Sequence, residues 1–193
     1  MKDATHVVIL ASKLGIDLFN TDPVSASTYN NMIHKFIFDA IQFASKKYNK
    51  SYNVTYYSTS ETYGSLNSKN EIITLQTPYK FIKGHNRYLY SHIKYNAEVD
   101  YFKMNYEHPE IVYAVKIIHP FNVYGKNQKR GVVYSMIKNA LENNVITYSN
   151  DTTRTLTSLK LASRMSVDVI LSDENQHANI SDVNCSLTMK SLA

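Results

Sequence analysis

Tyr56-Tyr57-Ser58-Thr59-Ser60-Glu61-Thr62-Tyr63-Gly64 is the stretch on which the reading of this chain turns. Its β-branched and aromatic lead-in, Val54-Thr55-Tyr56-Tyr57, predicts the end of a strand. The strand opens into a loop of small hydroxyls, one carboxylate and a glycine. About one helix further on, Tyr90-Ser91-His92-Ile93-Lys94 sets a phenol and an ammonium four residues apart. Positions i and i+4 share a helix face, so Lys94 is expected beside Tyr90. A neighbouring ammonium favours phenolate and lowers a tyrosine pKa from its usual ~10 toward the range useful for proton transfer. Two ordinary residues can thus make a general acid/base.

Outward from this stretch, the apolar run His6 to Ala11 does not alternate, which predicts a strand covered on both faces, as in a parallel α/β sheet. Asp22-Pro23 ends a loop. Ser25 to Lys47 then predicts a long helix, with apolar positions at Met32, Ile33, Phe36, Ile37, Ala40, Ile41 and Ala44. Residues 65 to 87 have no clear period and contain Pro78 and Gly84, as expected of a long loop on the active side. Tyr88 to Tyr106 is a predicted helix, and Ile111 to Ile118 a strand closed by Pro120. A polar loop from Gly125 to Gly131 precedes a helix over Val132 to Asn143 and a short strand over Val145 to Tyr148. Beyond these, a helix is expected from about Ser158 to Leu171, an extended piece at Ala178 to Ile180, and a last helix from near Ser186. Alternating strands and helices imply a doubly wound parallel sheet. One domain is expected, with residues 1–119 as its Rossmann-like portion and 120–193 mostly a substrate-facing lobe.

Composition narrows the function classes. A chain of 193 residues with 44% hydrophobic content is long and apolar enough for a substantial core. The formal charge of +5 suits an anionic partner, but the lysines are scattered and the densest basic cluster is Lys126, Lys129 and Arg130, so a nucleic-acid surface is not expected. The single cysteine, Cys185, cannot form an internal disulfide, and no run of ~20 apolar residues is present, which points to the cytoplasm. The seven histidines show no metal-ligand spacing, so no metal is expected.

Taken together, the motifs resemble the extended short-chain dehydrogenase/reductase family of NAD-dependent nucleotide-sugar epimerases, dehydratases and decarboxylases. The matching pieces are Val7 to Ala11, Pro23 and Asn30, Ser58 to Gly64 against Ser-Thr-Ser-Glu-Val-Tyr-Gly, Tyr90 to Lys94 against Tyr-x-x-x-Lys, and Pro120 to Gly125 against Pro-Phe-Asn-x-x-Gly. Tyr-x-x-x-Lys alone is a weak pattern; five motifs in order are a joint signal. The resemblance implies Tyr90 as base, Lys94 as the group that lowers its pKa and holds the nicotinamide ribose, and Thr59 as hydrogen-bond partner of the sugar O4. It also implies Ala11 beside the cofactor, Asn122 on the nucleotide sugar, and Arg154 on a diphosphate or uronate. Glu61 favours decarboxylase or dehydratase over simple epimerase, and a 4-keto sugar is the shared intermediate. NAD would carry the redox chemistry. Without the surrounding motifs, Tyr90 would read as a half-buried helix residue, Glu61 as a loop charge or cap, and Arg154 as a surface arginine.

The chain departs from that pattern most at its start. No Gly-x-x-Gly-x-x-Gly occurs, and the sequence begins near the family's fourth strand, so the first three strands are expected to be missing and NAD affinity to be poor. The strand from His6 to Ala11 would then be an open apolar edge, and the expectation is that a separate N-terminal chain supplies the missing half, as in a split subunit, that the chain is a fragment, or that self-association covers the edge. A homodimer through the helices at residues 28–47 and 89–106 is also implied by the resemblance. His119 stands where an arginine is usual before Pro-Phe-Asn, and Leu161 where an aspartate is common. An interaction or structural protein that keeps the fold without the cofactor half is the alternative expectation.

Overall fold

The computed structural model describes residues 1–13, 16–64, 72–80, 86–148 and 152–193. They divide into two compact units, Met1–His119 with Val169–Ala178, and Pro120–Asp168 with Asn179–Ala193. The elements are β1 (His6–Ile9), α1 (Ile16–Thr21), α2 (Pro23–Tyr48), β2 (Tyr52–Tyr57), α3 (Asn86–Glu107), β3 (Val112–Pro120), β4 (Val123–Tyr124) and α4 (Val132–Asn143). After these come β5 (Thr153–Thr155), β6 (Thr157–Ser158), α5 (Leu159–Ile170), β7 (Gln176–Ile180), β8 (Ser186–Thr188) and α6 (Met189–Leu192). No described helix is long and apolar enough to cross a membrane.

The main sheet runs β1-β2-β3-β7, with β1 parallel to β2 and β2 parallel to β3. This is the Rossmann-like α/β arrangement expected from the alternating pattern. On one sheet face Ile9, Val54, Tyr56, Val115 and Ile117 pack in a core with Ile41 and Ala44 of α2 and Ala97, Tyr101 and Met104 of α3. The opposite face holds Thr55 and Lys116, Cα partners across β2 and β3, both fully buried. Burial of both faces along most of β2 and β3, Tyr113 excepted, thus explains their lack of alternation. β1 differs: it is an edge strand among the described residues, and Val8 on it and Leu10 just after it are exposed. The covering expected of both its faces is present on one.

α2 begins two residues before the expected Ser25 because the Asp22 carboxylate accepts a hydrogen bond from Ser25 N (3.1 Å) and Pro23 occupies the first turn, where no N–H is needed. It ends at Asn49, whose φ of 49° lies in the left-handed region that asparagine tolerates. The aromatic core of this unit is tied by one imidazole. His34 sits between the Tyr101 hydroxyl (3.2 Å from Nδ1) and the Tyr56 hydroxyl (3.4 Å from Nε2), and burial lowers its pKa to about 4.

In the second unit β4 pairs with β6 in parallel and β5 with β8 antiparallel. Two expectations are corrected here. Val145 to Tyr148 forms no strand: its apolar side chains are exposed and no partner strand meets it among the described residues. The helix expected from Ser186 starts at Met189, because Ser186–Thr188 pairs with β5 and Thr188 then caps the helix by accepting from Ser191 N (3.0 Å). Within the expected 65–87 loop, residues 72–80 carry neither helix nor strand, α3 already begins at Asn86, and 65–71 and 81–85 lie outside the described residues.

Candidate active site

Parallel strands place their C-terminal ends on one edge of a sheet, where α/β proteins bind ligands. In the first unit that edge receives the segment after β1 and the turn after β2. The segment after β1 is fixed by Asn30, buried on α2: its Oδ1 accepts from Ser12 Oγ (2.9 Å) and Lys13 N (3.0 Å), and its Nδ2 donates to Lys13 O (3.2 Å) and Ala26 O (2.8 Å). Ala11 stands exposed in this segment. The turn after β2 is a single 3₁₀ turn, Ser60–Tyr63, capped by Thr59, whose Oγ1 accepts from Glu61 N (3.2 Å). It closes on Gly64 at φ 69°, where an added Cβ would stand 2.8 Å from Lys80 Cβ, so the position demands glycine on both counts.

The first helical turns of α3 meet this turn. A hydrogen bond between the Thr59 side chain and Tyr90 lowers the phenol's pKa, but burial and the Glu61 carboxylate outweigh it and push Tyr90 up to about 12. The Tyr90 ring also packs edge-on against Phe19 of α1, with centroids 5.5 Å apart. Thr59 thus pairs with Tyr90, and the Glu61 carboxylate is near enough to act on the phenol electrostatically. Lys94 is nearly fully buried, and its Nζ donates to Tyr57 O (2.7 Å) and lies 4.6 Å from the centroid of the Tyr56 ring. Burial lowers its pKa to about 8, against an opposing pull from Glu98. The expected lowering of the Tyr90 pKa is thus reversed: the ammonium is committed to the end of β2, and the charge acting on the phenol is the negative one of Glu61.

Glu98, one further turn along α3, belongs to none of the sequence motifs. It accepts hydrogen bonds from Ser58 Oγ and from His119 Nε2 (3.1 Å), all three residues being buried. The i+4 step from Lys94 is the signal that could have found it. His119, noted as a replacement for arginine, therefore fills a pairing role beside this carboxylate.

The two expected substrate-binding residues belong to the second unit and meet there. Asn122, at φ 30°, donates from Nδ2 to Thr155 O (3.0 Å) and accepts at Oδ1 from Arg154 Nη1 (3.3 Å). Its backbone carbonyl accepts from Thr157 N (3.3 Å), so this residue, just before β4, is tied to β5 and to β6. Arg154 Nε is buried and has no hydrogen-bond partner among the described residues.

Comparison with known proteins identifies the family and the fold. The family model described as the NAD dependent epimerase/dehydratase family matches residues 1–157. Among solved structures, the chain resembles the UDP-glucose 4-epimerase of Thermus thermophilus in complex with NAD at a TM-score of 0.78 and 16% identity, covering 98% of this chain and 60% of that one. It also resembles TunA, an NAD-dependent NDP-hexosamine 5,6-dehydratase of tunicamycin biosynthesis (TM-score 0.76, 17% identity, 98% and 58% covered). A third is the dTDP-glucose 4,6-dehydratase of Bacillus anthracis str. Ames in complex with NAD (TM-score 0.67, 20% identity, 97% and 54% covered). The chain therefore spans somewhat under two thirds of the length of these structures. No curated protein matches it.

Proposed function

The chain belongs to the NAD dependent epimerase/dehydratase family, and from that premise we propose that it forms the acid/base side of a nucleotide-sugar dehydratase, decarboxylase or epimerase working through a 4-keto sugar. The observation that carries this reading is the meeting of Thr59, Glu61 and Tyr90 at the end of β2, with Lys94 one turn away on the same helix. In it, Thr59 hydrogen-bonds the sugar O4 and Tyr90 accepts the O4 proton. Release of the Lys94 ammonium from Tyr57 O toward the phenol would favour phenolate, and Glu61 would serve the second step at C5 or C6. Asn122 and Arg154 contact the nucleotide sugar.

The residues present suit only part of NAD. Tyr90 and Lys94 offer a phenol and a charged donor to the nicotinamide ribose, while the glycine turn that cradles the pyrophosphate does not occur in the 193 residues. Bound at this edge, NAD would supply the hydride acceptor. The test is incubation of the chain with NAD and UDP-, dTDP- and GDP-sugars, following the sugar by NMR. Change at C4, C5 or C6 supports the proposal, and unaltered sugar throughout contradicts an enzymatic role.

A second reading, an interaction protein that keeps the fold, draws support from the protonated Tyr90 and the committed Lys94. Apolar side chains also stand exposed along α2 (Met32, Phe36, Phe43) and α3 (Val99, Tyr106), and Val8 and Leu10 along β1. We assign the α2 and α3 faces to a homodimer and the β1 edge to a partner chain or a second copy, in a reducing cytoplasm where Cys185 stays free.

A further inference from the structure

We propose that Glu98, His119 and His177 form a divalent-metal site, with Zn²⁺ the ion that best suits it. The three residues come from α3, the end of β3 and β7, all within the first unit, and their ligand atoms lie within 4.8 Å of one another. Sequence spacing hides the set, because no two of its members are neighbours. An ion held tetrahedrally at 2.0–2.1 Å separates its ligand atoms by about 3.4 Å. The His119 Nε2 to Glu98 Oε1 separation of 3.1 Å is already close to that; binding would release the Nε2 proton to solvent, turn this hydrogen-bonded pair toward the ion and draw His177 in.

Two imidazoles and one carboxylate are a borderline-soft nitrogen and oxygen set, which suits Zn²⁺ better than Ca²⁺ or Mg²⁺, whose ligands are oxygens. His119 is buried to 3% exposure and offers the site its Nε2, the nitrogen now paired with Glu98; Nδ1, on the far side of the ring, is not a ligand atom here. Surrounding groups orient the ligands, as outer-shell partners do in metal sites. Ser58 Oγ holds the Glu98 carboxylate, Phe102 stacks on the His177 ring at 4.8 Å, and Tyr63 packs on His119 at 5.3 Å. His177 is exposed, which gives an ion a way in from solvent. Three protein ligands leave a fourth position for water. A bound ion would staple α3 to β3 and β7.

The test titrates ZnCl₂ into the metal-free 193-residue chain by calorimetry and repeats it with His177→Ala, His177→Gln and the control His108→Ala. His108 is an exposed histidine beside Glu110, so it reports on adventitious surface binding. One saturating site per chain is expected, weakened at least about tenfold in both His177 variants and unchanged in His108→Ala. Because His177 is exposed, these variants should keep the far-ultraviolet circular dichroism of the parent. Co²⁺ should give the visible absorption of a tetrahedral nitrogen/oxygen site in the parent and lose it in His177→Ala. Absence of saturable Zn²⁺ binding in the parent, or equal binding by the His177 variants, would overturn the site and leave the Glu98–His119 hydrogen bond as a simple structural pair.

Discussion

α3 carries two buried stripes that do opposite things to the fold. Ile93, Ala97, Tyr101 and Met104 are apolar, and most of this stripe closes against the sheet and α2. Tyr90, Lys94 and Glu98 follow one another at i+4 steps, half-burying a phenol and burying an ammonium and a carboxylate near the strand ends. The first stripe gains from leaving water, at about 25 cal/mol per Å² of apolar surface. The second stripe loses solvation, which is why the Lys94 pKa falls and the Tyr90 pKa rises. Substitutions on the two stripes should therefore move stability in opposite directions.

The largest effect is expected on the apolar side. Tyr101→Ala removes a fully buried ring packed at a tilt against Tyr56 and Phe38, and should lower stability by about 3–5 kcal/mol in denaturant titration. Next comes acid. His34, neutral in the fold with a pKa of about 4 against an ordinary 6.5, contributes stability that is fully present above pH 6.5 and lost as pH falls through 4. That difference corresponds to a loss of about 3 kcal/mol over the window, and His34→Gln should flatten the profile.

On the polar side, Lys94→Met should raise stability at neutral pH by about 1–3 kcal/mol, since it removes a buried ammonium whose pKa is depressed. The cost of burying Lys94 is fully present below pH 8 and is relieved as pH rises from 8 toward 10.5, so the parent should gain stability across that range and the variant should not. The raised pKa of Tyr90 works the other way between pH 10 and 12, where the fold loses stability as its phenol resists ionising. The smallest effect is expected outside both stripes. Phe36→Ser, on an exposed position of α2, should change stability by no more than about 0.5 kcal/mol yet abolish self-association in sedimentation; a dimer unaffected by it would remove the α2 face from the homodimer proposal.

The helix that carries both stripes was legible in the sequence, and so was most of the first unit, though neither stripe was read there. Runs such as Val54 to Tyr57 and Ile111 to Ile118 carry their own strand signal, and the long period of residues 25–47 carries its helix. The Thr59 to Gly64 turn and the Tyr90/Lys94 pair are readable because fixed residue types stand at fixed offsets. What the sequence withheld depends on where a side chain turns. Lys94 could share a face with Tyr90 and still spend its proton on Tyr57 O, and no spacing distinguishes the two outcomes. The contact of Glu98 with His119 and His177 joins three separate elements, so no local pattern reports it. The short strands β4, β5, β6 and β8 span two or three residues each, too few for a periodic signal, and escape sequence reading for that reason. Val145 to Tyr148 shows the converse: an apolar run with strand composition stays unpaired when no neighbouring strand meets it among the described residues.

Whether the polar stripe serves chemistry is tested most directly by calorimetric titration of UDP-, dTDP- and GDP-sugars, with NAD present, into the parent chain and Thr59→Val. At least one nucleotide sugar is predicted to bind at one site per chain, and loss of the Thr59 hydroxyl should weaken it by about tenfold, the value of one hydrogen bond to the ligand. Absence of binding by every nucleotide sugar, or equal affinity in the parent and Thr59→Val, would contradict a nucleotide-sugar site at the end of β2.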